Sequence, residues 1–262
     1  MSSSRASQRA FLAVSALLFA ASTAVTIIWC RSMSAMDGMP MPGGWTMSMA
    51  WMRMPDQTWL GAAASFLGMW LVMMAAMMLP SLVPMLRRYR QVVGGMGNMP
   101  AGRLTMLVGT GYFLVWTVFG LVAFPLGVAL AAVLMQQPSL AGAVPFAAGA
   151  VVMIAGALQF TAWKAHHLAC CRETPERSRI LPADAGSAWR HGLSLGLHCS
   201  CCCLGLTAVL LVIGVMDLRA MAVLAAAITA ERLAPAGPRV AQAIGAVLVG
   251  AGLFVIARAA GS

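Results

Sequence analysis

Charge is what this chain has least of. Charged residues fill 9% of its 262 positions and apolar residues 61%, where soluble domains carry roughly 25% and 45–50%. That shortage excludes a water-soluble fold. No Gly-rich motif ending in Lys-Ser or Lys-Thr is present, so ATP-driven pumping has no support. There is no obvious internal repeat and no soluble domain, since the longest connections between apolar runs are 30–57 and 164–191. The seventeen Lys and Arg raise the formal charge to +10. They lie in short clusters between apolar runs rather than on one face, which argues against a nucleic-acid partner and for contacts with the lipid bilayer.

A helix needs roughly 20 apolar residues to cross a hydrocarbon core. Spans are predicted near 10–29, 58–79, 105–135, 140–163, 192–216, 219–234 and 239–257. The sixth is short and ends in Glu231-Arg232, so a re-entrant or strongly tilted segment is the alternative. The expected fold class is all-α: a polytopic transmembrane helical bundle with six or seven spans, seven preferred. Pro125 should kink the third span, and Pro80 and Pro84 should end or kink the second. Arg5 and Arg9, then Arg87, Arg88, Arg90 and Arg103, then Lys164, Arg172, Arg177, Arg179 and Arg190 fall on one side. The positive-inside rule makes that side, and the N-terminus, cytoplasmic. Residues 1–29 read as an uncleaved anchor, 30–57 as an external loop and 58–257 as a metal-binding transmembrane domain.

The external loop is rich in sulfur. Met33, Met36, Met39, Met41, Met47, Met49, Met52 and Met54 occupy eight of 22 positions among Gly, Pro and Ser. The segment lacks helix or strand periodicity and should be flexible. Thioethers stay unprotonated near neutral pH and prefer Cu(I) or Ag(I) to hard cations, so Met33, Met36, Met39 and Met41 are candidates for metal capture. The bland reading is a segment touching lipid headgroups. Along the second span, Met69, Met73 and Met77 share one stripe at 100° per residue, with Met74 and Met78 beside it. Alone, such a stripe is packing; beside the loop it reads as a conduit.

Two Cys/His clusters carry the sharpest signal. His166 with Cys170 and His167 with Cys171 stand at i, i+4, each pair on one face if the helix persists. His198, Cys199, Cys201, Cys202 and Cys203 follow in the fifth span. Thiolates and imidazoles ligate Cu(I), Zn(II) and similar ions. One or two of the thiols would serve equally as inert core, and His191 in a basic loop reads as solvated. A disulfide is disfavoured on a reducing side.

The segment Met69–Ser81, the stretch Thr161–Arg172, the run Cys199–Cys203 and the tail from Gly214 through Glu231-Arg232 to Gly237 closely resemble the predicted metal-binding integral membrane proteins, a family of unknown function. The resemblance spans roughly residues 58–255. It implies a multi-pass protein of the bacterial inner membrane, with some members associated with copper delivery to copper enzymes. Two departures stand out. The family commonly has Cys-Leu-x-x-Cys-Arg where this chain has His167-Leu168-Ala169-Cys170-Cys171-Arg172. It often has His-Gly-x-Tyr-Cys-x-Gly-Cys-Cys where this chain has Leu195 through Cys203, with histidine moved to His198 and Cys201 in place of glycine.

The expected function is binding of a soft transition metal, Cu(I) before Zn(II), by a transporter or copper-delivery factor rather than an enzyme. Expected partners are the metal ion and a copper-dependent enzyme or soluble metal chaperone. The rivals are a membrane thiol-disulfide oxidoreductase, from the Cys199-Ser200-Cys201-Cys202 spacing, and an assembly subunit braced by a structural metal.

Overall fold

The computed structural model describes residues 2–34, 38–54, 57–93, 99–172 and 184–261. Among them Met36, Arg177 and Arg179, named above, do not fall. The order is α1 (Ser2–Ser34), β1 (Met39–Met41), β2 (Trp45–Met47), a 3-10 turn (Met49–Trp51), α2 (Trp59–Val93), α3 (Ala101–Gln136), α4 (Pro138–Leu158), α5 (Ala162–Arg172), α6 (Ala185–Ile213), α7 (Leu218–Leu233) and α8 (Gly237–Ala260). The protein is an all-α bundle with six helices long and apolar enough to cross a membrane: α1, α2, α3, α4, α6 and α8.

The preferred count of seven spans is therefore corrected to six among the described residues. Residues 219–234 form α7, whose 16 residues reach only about 24 Å at 1.5 Å per residue. Its last turn packs Glu231 and Arg232, both buried, against the rest of the protein. The predicted span at 140–163 also breaks: α4 stops at Leu158, and α5 begins as a separate helix at Ala162. The prolines do not end α2, which runs on to Val93 through Pro80 and Pro84. Ser81 Oγ donates to the Met78 carbonyl at 3.1 Å, and packing against neighbouring helices lets a membrane helix absorb proline. Pro125 likewise lies inside the continuous α3.

Helices α1 and α2 are antiparallel. Arg90 near the end of α2 bonds the Ser7 hydroxyl at 2.8 Å and lies 4.8 Å from the Phe11 ring. At that same end Tyr89 stacks on His191 of α6, with ring centroids 5.3 Å apart; His191 is thus packed rather than solvated. Asp184 caps α6 by accepting from the Ser187 amide at 2.8 Å. Its bonds from Ser187 hold the carboxyl below the usual carboxylate range. Where α6 meets α3, Gly192 and Gly196 let the backbones touch: a Cβ on Gly192 would collide with the Val108 carbonyl, and one on Gly196 would lie 2.9 Å from that of Tyr112.

At the other end the methionine-rich segment folds, contrary to the expected flexible loop. Met39 pairs with Met47 and Met41 with Trp45 in an antiparallel hairpin. Gly43 and Gly44 turn it with φ of 91° and 72°, values that suit glycine. Trp45 donates to the Ala141 carbonyl at 2.9 Å, and Met47 packs on Ala131 and Leu134. The signal was the Pro42-Gly43-Gly44 turn between two short runs with Met and Trp.

Candidate metal centre

The core between α2, α3, α5, α6 and α7 is filled with sulfur. Met69, Met73, Met74, Met77 and Met78 are all buried, as are Cys171, Cys199, Cys202 and Cys203. Met73 and Met77 also border an apolar cavity of about 790 Å³ between α1, α2 and α7. At the inner end of the stripe the Cys199 thiol lies 3.9 Å from Met78 Sδ and 2.8 Å from the Tyr112 hydroxyl. The side chains of Cys199, Cys203, Cys202 and Cys171 interact in that order. Loop separation in the sequence is thereby closed: α5 brings Cys171 against the thiols of α6.

Charges surround this thiol row. Arg232 donates toward Cys171 Sγ at 3.6 Å and Cys203 Sγ at 3.8 Å, and to Ser81 Oγ at 3.1 Å. Its Nε has no hydrogen-bond partner among the described residues. Glu231, its neighbour, is engaged elsewhere: Lys164 Nζ binds it at 2.6 Å and Gln159 at 2.8 Å. Lys164 also donates to the Cys202 carbonyl at 2.8 Å, and Arg172 to the Glu231 carbonyl at 2.7 Å. A buried cation needs a counter-charge. Among the described residues the groups interacting with Arg232 that can become anionic are the thiols of Cys199, Cys203 and Cys171 and the Tyr112 phenol.

The family comparison bears on this same region. The family model described as a copper chaperone, PpoB2, matches residues 67–255, a stretch that contains the methionine stripe, every thiol of the row and Arg232. The chain belongs to the copper chaperone family. No curated protein and no solved structure matches it.

The other predicted residues of this copper chaperone family member separate from the thiol row. His167 Nδ1 meets His198 Nδ1 at 3.1 Å, and His166 lies beside them with ring centroids 5.4 and 6.4 Å away. Burial first, then the neighbouring His198 and His166, lowers the His167 pKa from the ordinary imidazole value. Cys170 approaches His166 Nε2 at 3.8 Å, as the i, i+4 spacing predicts; His167 and Cys171 instead face different neighbours. Cys201 is half-buried. Met33, Met39 and Met41 lie at the opposite end with the hairpin, Met39 exposed. Among the described residues no three His, Cys, Asp or Glu side chains gather as a ready-made ion site, so a closed tetrahedral Cys/His cage of the structural-zinc kind is not built.

Several site residues escaped the sequence pattern. Tyr112 sits in an unbroken apolar run, and Lys164, Glu231 and Arg232 read as span boundaries. Cys30, 4.0 Å from Met216 Sδ, falls within α1 rather than in the external loop expected from residue 30 onward. The available signal was charge: an ionisable residue inside a membrane segment, rather than flanking it, marks a functional position by default.

Proposed function

We propose that this family member holds Cu(I) at the buried sulfurs of Cys199, Cys202, Cys203, Cys171 and Met78 and delivers it to a copper enzyme or a soluble metal chaperone. The contact between Cys199 and Met78 carries the reading: a thiol meets the thioether that ends a buried row of methionines. Soft thiolate and thioether donors select Cu(I). Two metal–sulfur bonds of about 2.3 Å in line span about 4.6 Å, so the 3.9 Å contact needs to open only slightly. Arg232 supplies the positive charge that a buried copper–thiolate anion requires.

In this reading the chain sits in the bacterial inner membrane with its N-terminus cytoplasmic, and the hairpin end faces outward. Movement of the ion follows the sulfur row between the two ends. Thiol–disulfide exchange is poorly served, because Cys199, Cys202 and Cys203 are buried from a protein substrate and exchange needs access.

Metal analysis with X-ray absorption on protein purified under reducing conditions tests the proposal. The wild type is expected to carry Cu(I) with sulfur ligands. Replacing Cys199, Cys202 and Cys203 together by Ser should abolish tight binding and leave the bundle inserted. Unchanged copper stoichiometry in that variant would exclude this site.

A further inference from the structure

His167 and His198 meet each other rather than the buried thiols of Cys199 and Cys203, and their geometry is that of a different ligand set. His167 comes from α5 and His198 from α6, 31 positions apart in sequence, yet their Nδ1 atoms lie 3.1 Å from each other. Two metal–nitrogen bonds of about 2.0–2.1 Å that subtend this distance enclose an angle of roughly 100°, close to the edge of a tetrahedron. The Trp163 ring holds His167 edge-on, with centroids 4.7 Å apart. Both histidines are half-buried, next to the exposed His166, whereas Cys199 and Cys203 are fully enclosed. The buried carboxylate of Glu231 is bound by Lys164 and Gln159.

We propose that His167 and His198 form a second metal site, separate from the buried thiols, which takes a borderline divalent ion of the Zn(II) class. Imidazole suits Zn(II), Cu(II) and Ni(II), while the sulfur row suits a soft monovalent ion. With two protein ligands the ion keeps open positions, as a site that exchanges ligands must. This goes beyond the copper reading and does not rest on it.

The test uses full-length protein in detergent, with thiols reduced, titrated with Zn(II) and Co(II). One Zn(II) equivalent should be lost in His167→Gln/His198→Gln and kept in Cys199→Ser/Cys202→Ser/Cys203→Ser. Co(II) in the thiol variant should give the visible absorption of a tetrahedral ion without a sulfur charge-transfer band. The single variants His167→Gln and His198→Gln, which disturb packing less, should each weaken Zn(II) by at least about tenfold. Zn(II) stoichiometry unaffected by the histidine variants, or lost with the thiols, would overturn the proposal. So would a wild type that binds no Zn(II), since the contact is then an N–H···N hydrogen bond and nothing more. Cu(I) binding, measured on the same samples, reports on the copper reading independently.

Discussion

Arg232 is the residue on which the electrostatics of the thiol row turn. It is buried against two thiols and a hydroxyl, so its charge favours a thiolate, or a copper–thiolate anion, over neutral sulfur. Arg232→Gln keeps a polar side chain but removes the charge. Truncating one partner of a buried charge pair typically costs about 2–5 kcal/mol, so Cu(I) affinity should fall at least about thirtyfold in a competition titration. An unchanged affinity would mean that copper–thiolate charge is balanced elsewhere. His167 behaves in the opposite sense. Its lowered pKa means that, as pH falls through the ordinary imidazole range, the unfolded chain takes up the proton before the folded one does. Its contribution to stability is therefore present above that range and lost on the acid side.

Element packing determines how well these residues are placed. The α3–α6 contact at Gly192 and Gly196 aims the Tyr112 hydroxyl at Cys199, 2.8 Å away. Gly192→Ala should force the helices apart at a cost of about 1–3 kcal/mol, lower the unfolding temperature in detergent and weaken copper binding although no ligand is touched. Helix type was readable from run length because a bilayer demands about 20 apolar residues from each span, whereas the span count was not, since α7 is too short to cross. Two further features were not. The break at Gln159–Thr161 follows from no proline or charge run, and it turns α5 so that Cys171 reaches Cys202 while His167 reaches His198. That split of one apparent cluster into a thiol row and an imidazole pair is a tertiary fact. It also unites the two departures from the family motifs, since His167 and His198 are the residues that meet. The hairpin was obscured by a Met-rich composition that carries no period, although its Gly-Gly turn was visible.

For the whole molecule, the basic residues near Arg90 and the methionine hairpin occupy opposite ends of the bundle, because α1 and α2 are antiparallel. Reporter fusions are expected to place residues 87–103 on the cytoplasmic side and 38–54 on the other; both segments on one side would remove the proposed path. Among the described residues the interior contains a buried ion pair, Lys164 with Glu231. Breaking it from one side, as in Lys164→Met, should destabilise the bundle by about 3–5 kcal/mol, and Lys164→Met/Glu231→Met should recover much of that loss in a thermal unfolding assay.

The short helix α7 has a consequence for how the chain enters the bilayer during synthesis. A segment of 16 residues ending in Glu231 and Arg232 is a poor substrate for insertion by itself, because both charges would meet lipid. Lys164, Ser81 and the thiols that receive those charges all precede it in the chain. The α7–α8 pair thus settles after these partners, docking onto a surface already in the membrane. Ribosome-bound nascent chains that end before residue 218 should keep Lys164 without its carboxylate, and closure of the thiol row by Arg232 awaits α7.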